Sequence, residues 1–198
     1  VVRLGMGERQ LGQERVGPGR PLLLIDVDGP LNPYAAKPQR RPEGYGTHRM
    51  RPRGWDDPHR RPLRVWLDAG HGAALLALPY DLVWATTWEA EANTWIAPRI
   101  GLPELPHIDW DPDDGTPPPE GTFWKTRRVV TWAAGRPFAW IDDEITDRDR
   151  TFVAAHHRGP ALLHHVDPRR GLLPHDFARL AAWADGYRDE PRYPVDRG

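Results

Sequence analysis

The sequence predicts an α/β domain built in three layers: a doubly wound parallel sheet of about five strands, helices on both faces, and no large cap domain. Three observations predict it. Short continuous apolar runs recur along the chain, segments with helical spacing alternate with them, and several of the apolar runs end in carboxylates or hydroxyls. Continuous apolar runs suit strands buried on both faces, and strict alternation of strand and helix is the pattern of βαβ units in an open parallel sheet. Ligands in such sheets bind beyond the carboxyl ends of the strands, so the polar residues that follow the apolar runs are the candidate site.

The first strand is expected from Pro21 to Asp26 (PLLLID), and further strands at Tyr80 to Ala85, Pro137 to Ile141 and Ala161 to Val166, with a weaker one around Leu105 to Trp110. Helical spacing covers Leu63 to Leu78, Glu89 to Ile100, Phe123 to Ala134, Asp147 to His157 and His175 to Ala184. The exception to this alternation is Gly29 to Pro62, which is rich in Pro, Gly and Arg and shows no convincing period. It reads as a long loop, a basic flap carrying eight Lys or Arg against three acidic residues, and whatever it covers is expected to be anionic. Pro112 to Gly121 is a second, proline-rich loop (the loop spans 111–121), and residues 1–20 and 187–198 read as tails around a single domain over 21–186.

A formal charge of −1, from 27 basic and 28 acidic side chains, exerts no global pull toward nucleic acid or membrane. Charge or proline interrupts every apolar stretch before it reaches the length of a membrane span, and the first twenty residues lack the apolar region of a secretory signal. With no cysteine, disulfides and thiolate metal sites are excluded, which fits a cytoplasmic protein.

The chemistry gathers at the ends of the runs. Asp26-Val27-Asp28-Gly29 sets two carboxylates two residues apart where the first strand ends and the chain turns. Thr86-Thr87 follows the second run, and Asp142-Asp143-Glu144 follows the FAWI run. Like charges about 4 Å apart repel by around 4 kcal/mol at an effective dielectric near 20, so converging carboxylates call for a cation. All-oxygen ligation beside a substrate phosphate favours Mg²⁺. Lys125 opens the helix after the proline-rich loop and can supply a second positive charge, although taken alone it reads rather as a solvated helix-start lysine.

The order Asp-x-Asp, Thr, Lys, Asp-Asp over Pro21 to Val166 resembles the four motifs of the haloacid dehalogenase-like (HAD) superfamily. More narrowly, DVDGPLNP, WATTW and AWIDDE look like the small HAD domains associated with Swiss Army Knife RNA-repair-type proteins. The resemblance implies a phosphohydrolase in which Asp26 is the nucleophile, Asp28 the general acid/base, Thr86 the phosphate-binding hydroxyl and Lys125 the charge-neutralising lysine. It also implies Mg²⁺ held by Asp26, Asp142, Asp143 and the backbone carbonyl of Asp28. Two departures stand out: Pro30, where many relatives have Thr or Val, and the pair Thr86-Thr87, of which Thr86 falls first after the apolar run.

Neither interval between the motifs looks like a folded cap, which predicts an open site suited to large phosphorylated substrates: a nucleotide, an RNA or DNA end, or a protein. Thr87, Trp88, Trp124, Arg49 and Arg51 are the candidate substrate contacts, the tryptophans as stacking platforms. The competing reading is a HAD-like module that binds nucleic acid or protein with little catalysis. Asp109, Asp111, Asp113 and Glu120 fit a calcium-loop spacing, but the glycine is displaced and prolines break the loop, so a solvated acidic segment is expected. His156-His157 and His164-His165 lack an acidic partner at ligand spacing and read as surface or core histidines. No GxGxxG follows the first strand, which leaves a dinucleotide site unsupported.

Overall fold

A computed structural model describes residues 19–55, 57, 59–110 and 121–189, with the side chains of 187–189 left out. Of the acidic residues at calcium-loop spacing only Asp109 is described; Asp111, Asp113, Glu120 and most of the proline-rich loop lie outside the described residues, as do most of both tails.

The central sheet has four parallel strands in the order β4-β1-β5-β6, where β1 is Leu22–Ile25, β4 Asp81–Trp84, β5 Phe138–Asp142 and β6 Ala161–His165. Leu22 pairs with Asp81 on one side and Phe138 on the other, so β1 is interior and its four residues are all buried. Pleating sorts them by face. Leu23 and Ile25 join the core that also holds Leu75, Ile96, Ile100, Leu180 and Ala184, while Leu22 and Leu24 join Val129, Ala133 and Val153. The first set belongs to α1 (Gly70–Leu76), α3 (Ala97–Ile100), the junction at Ile96 that joins α3 to α2 (Glu91–Trp95), and α6 (Pro174–Asp189); the second belongs to α4 (Thr126–Ala133) and α5 (Asp147–His156). Helices thus cover both faces, which is the three-layer arrangement expected.

The weak fifth strand is reduced to a single parallel bridge, Trp84 with His107, at the β4 edge. Asn93 holds that segment in place: its amide donates to Leu105 O (2.8 Å), while its oxygen accepts from Leu105 N (2.9 Å) and from the Trp84 indole (2.8 Å). The expected helix Glu89 to Ile100 is two short helices, broken at Ile96.

The larger correction concerns the basic segment. Tyr45–Met50 forms β2 and Leu63–Asp68 forms β3, an antiparallel hairpin outside the main sheet, so Leu63 to Leu78 is strand and then helix rather than one helix. Leu63, Trp66 and Leu67 have helical spacing, but Leu63, Val65 and Leu67 also alternate. Pairing with β2 puts those alternate residues into the main core and turns Trp66 to the other face, against Tyr45 and Ala36. Gly29 to Pro62 is therefore not a featureless loop. Among the described residues no helix is long and apolar enough to cross a membrane.

Candidate active site

Asp26 directly follows β1, and Asp142 closes β5, its immediate neighbour; Asp26 N donates to Ile141 O (3.0 Å) and ties the two strand ends together. This is the side of β1 where the chain, having placed β4 on one flank, returns to build the other, the position at which open α/β sheets leave a crevice. One oxygen each from Asp26, Asp142 and Asp143 falls within 4.8 Å of the other two. Lys125 reaches the same point from the N-terminus of α4. Its ammonium donates to Asp26 Oδ2 (2.8 Å) and Asp142 Oδ2 (2.9 Å), and it is 2% exposed, so this lysine is not the solvated one that base rates favoured.

Two buried acids and a half-buried third, Asp143, against one buried base leave an excess of negative charge. Burial pushes the Asp26 carboxyl up to about 8 despite the pull of Lys125, with Asp142 adding to the rise. Burial raises Asp142 too, against Lys125, and raises Asp143, against the hydrogen bond from Tyr34. Burial alone would lower the Lys125 ammonium, but Asp26 and Asp142 outweigh it and hold its pKa above the ordinary value.

The Asp28 side chain stands apart from the converging three. Asn32 Nδ2 donates to its Oδ1 (2.7 Å) and the Trp88 indole to its Oδ2 (3.0 Å), which fix both oxygens facing the cavity. Trp88 lines the cavity but is only 8% exposed, its indole N–H committed to Asp28. Gly29 has φ +93, and a Cβ there would collide with the Asp143 side chain, so only glycine lets the Asp28 turn pass this close.

Of the paired threonines, Thr87 lines the cavity, whereas Thr86 is fully buried with its hydroxyl near Trp88 N (3.4 Å) and its carbonyl accepting from the Trp110 indole (2.8 Å). Trp124 is 43% exposed and lines the cavity, edge-on to Trp110. Arg51 does not reach it. Its guanidinium donates to Trp55 O and Asp57 O and closes its own turn. Arg49 opens into a different cleft on the hairpin.

Several cavity residues were missed in the sequence. Asn32 holds Asp28 and also accepts from Trp66 N (3.0 Å), joining the Asp28 turn to the hairpin. Tyr34 donates to Asp143 Oδ2 (2.9 Å); burial and that bond push its phenol up to about 12, so it remains a donor at neutral pH. Arg53, Trp55 and Arg64 from the hairpin region form one wall. The hairpin is short, yet it walls the cavity on one side where an open site was expected. The only signal for these residues was their place in DVDGPLNPY and in a conspicuously basic insertion. His164, read as lacking an acidic partner, has one twelve residues on: its Nε2 lies 2.7 Å from Asp176 Oδ1, a buried link between β6 and α6.

Asp149 was missed as well. Fully buried, it accepts from Phe123 N (2.7 Å), Thr126 Oγ1 (2.6 Å), Thr146 N (2.7 Å) and Thr146 Oγ1 (2.6 Å), completing the capping box of α5 and clamping the residues on either side of Lys125. Burial works to raise its pKa, but the bonds from Thr126 and Thr146 win and hold it below the ordinary value. A carboxyl depressed on folding stabilises the fold above its unfolded pKa, near 3.9, and loses that contribution as pH falls through its folded value. Asp149→Asn is therefore expected to cost about 3 kcal/mol at pH 7, and the gap between variant and wild type in urea unfolding should narrow below about pH 4. A gap that stays constant with pH would mean the carboxylate charge is not what the clamp uses.

Together the cavity, of about 890 Å³, presents a shielded carboxylate cluster bridged by an ammonium, a second oriented carboxylate, a threonine and an exposed indole. Comparison with protein-family models, with curated proteins and with solved structures found no match to this chain in any of the three.

Proposed function

We propose that the protein is a Mg²⁺-dependent phosphohydrolase of the HAD type, a phosphomonoesterase acting through an aspartyl-phosphate on Asp26. The observation that carries this reading is the buried Lys125 ammonium shared by Asp26 and Asp142, from segments 99 and 17 residues away, at the mouth of two adjacent parallel strands. A structural ion pair needs one acid per base; this cluster keeps a third carboxylate, Asp143, within 4.8 Å. The donor set fits a hard divalent cation, being all oxygen, mostly buried and over-supplied with negative charge. Asp26, Asp142 and Asp143 would hold Mg²⁺, with the Asp28 main-chain carbonyl that the resemblance implies. Bound there, the ion supplies charge neutralisation for phosphoryl oxygens facing a carboxylate nucleophile.

The residues divide the work as follows. Lys125 offsets repulsion between the Asp26 carboxylate and the incoming phosphate. An Asp26 oxygen forms a bond to phosphorus as the bond to the leaving oxygen breaks, and Asp28 gives that oxygen its proton. Water then attacks the aspartyl-phosphate, losing a proton to Asp28, and inorganic phosphate leaves with Asp26 restored. Asn32 and Trp88 keep Asp28 aimed while each of its oxygens retains a further lone pair for the proton. Thr87 and Trp124, which line the cavity, would meet the substrate, which we assign to nucleotides, nucleic-acid ends or comparable large phosphorylated molecules.

The test is release of phosphate from aryl phosphates, nucleotides and phosphorylated oligonucleotides with and without Mg²⁺. Asp28→Asn is expected to lower steady-state turnover by about 10²–10⁴, most severely for poor leaving groups, because the amide carries no transferable proton. Unchanged turnover would remove Asp28 from proton transfer. If wild type releases no phosphate from any of these compounds, the binding-module reading takes over.

A further inference from the structure

The hairpin carries a feature the proposed chemistry leaves unused. Its strands pair Arg49 directly with Arg64 and Thr47 with Trp66, all on one face, and like charges directly opposite in a sheet repel. Arg41 joins them, its guanidinium donating to Thr47 Oγ1 (2.9 Å). These residues line a cleft of about 480 Å³ that includes Gln39 and no acidic residue. Among the described residues none of the three guanidiniums forms an ion pair with a carboxylate; Arg64 instead lies over the Trp66 ring, 4.2 Å from its centroid.

Arg64 also lines the catalytic cavity, so the cleft and the cavity share a wall. The cavity is electrically two-sided at its rim. Glu89 and Glu144 stand on the sheet side, the hairpin side offers Arg53 and Arg64, and Glu91 joins the two, its Oε2 accepting from Arg53 N (2.7 Å). An anionic group extending from a phosphate at Asp26 is repelled by the first side and drawn along the second, past Arg64 toward Arg49 and Arg41.

We propose that this cleft is a second phosphate subsite: the substrate carries, beyond the phosphate removed at Asp26, at least one more phosphate, which sits among Arg41, Arg49 and Arg64. Guanidinium forks bind phosphate oxygens in pairs, and a phosphate between Arg49 and Arg64 turns a repulsive cross-strand pair into an attractive triad. The proposal rests on the phosphohydrolase reading for the first phosphate but not for binding at the second. The cavity alone is already of the size that holds a whole small ligand, so the second phosphate belongs to a group reaching beyond it.

The test compares kcat/KM for p-nitrophenyl phosphate, which has one phosphate, with adenosine 3′,5′-bisphosphate, a 5′-phosphorylated trinucleotide and tripolyphosphate. The multiply charged probes tell apart a mononucleotide, a phosphodiester chain and an inorganic chain as the source. The ratio of the best of them to p-nitrophenyl phosphate is expected to fall by about tenfold or more in Arg49→Glu, and to fall with added salt. The substitution places an acid opposite Arg64, which favours the hairpin, so loss of folding is not expected. A ratio unchanged by Arg49→Glu and by Arg41→Glu overturns the subsite. Fluorescence anisotropy of the labelled trinucleotide needs no turnover and separates the two readings. Binding that is lost in Arg49→Glu, with no phosphate release from any substrate, sustains the cleft and defeats the phosphohydrolase. Turnover of p-nitrophenyl phosphate with no binding difference between wild type and Arg49→Glu does the reverse.

Discussion

Asp26→Asn is expected to reduce phosphate release by roughly a million-fold, the scale of loss when a covalent nucleophile is removed, while leaving the protein folded. The two outcomes separate because of what surrounds the residue. An amide has no anionic oxygen to attack phosphorus, so the aspartyl-phosphate cannot form. The fold, in contrast, loses one of three converging acids whose pKa values burial and mutual repulsion already raise. Lys125 keeps Asp142 as its partner at 2.9 Å. Without divalent cation, urea unfolding of the variant should show stability equal to or above that of wild type; with Mg²⁺, wild type should gain more than the variant. Activity within tenfold of wild type would end the assignment of Asp26 as nucleophile.

Lys125→Met carries the second large effect, and here fold and function fall together. The lysine is buried between two carboxylates that are themselves 5% and 0% exposed, and removing the one cation that, among the described residues, they share strands both. Breaking one side of a buried pair costs roughly 3–5 kcal/mol, or about 10 °C in Tm for a chain of this size. Methionine keeps the length and the apolar stem, so the loss reports charge rather than a cavity. Adding Asp26→Asn to Lys125→Met should recover part of the stability, because the second change removes one of the stranded charges. Thermal unfolding of the four proteins in this cycle reads the coupling directly. A single Lys125→Met variant as stable as wild type would show that Asp26 and Asp142 do not depend on the ammonium, and would weaken the case for a shared centre.

How much of this was legible beforehand depended on whether local sequence carried the determining interaction. The four parallel strands are short runs that are apolar on both faces, and burial on both faces needs no knowledge of the partner strand. Asp26, Asp28, Asp142 and Asp143 were legible because each directly follows such a run or comes within a few residues of it, and the ends of parallel strands share one edge, whereas Thr86, the hydroxyl chosen for falling first after its run, is fully buried and its neighbour Thr87 lines the cavity. Lys125 was legible only as one member of a motif order, since its neighbours do not distinguish a buried lysine from a solvated one.

The hairpin was not legible. β2 reads YGTHRM, half exposed and mostly polar, and it becomes a strand only because β3 lies opposite; β3 in turn satisfies helical and alternating periods at once. Cross-strand pairing is non-local, so no window of sequence reveals it. The same holds for Asn32, Tyr34 and Asp149, whose roles are hydrogen bonds to residues up to 109 positions away.

By itself, then, the sequence determined the layered parallel sheet and the carboxylate-bearing edge, because burial and strand polarity are encoded one segment at a time. Only the tertiary structure decided that Asp28 stands off from the converging trio, that Trp88 serves it, and that a basic hairpin walls the cavity. Those outcomes turn on which distant polar groups satisfy one another once water is excluded.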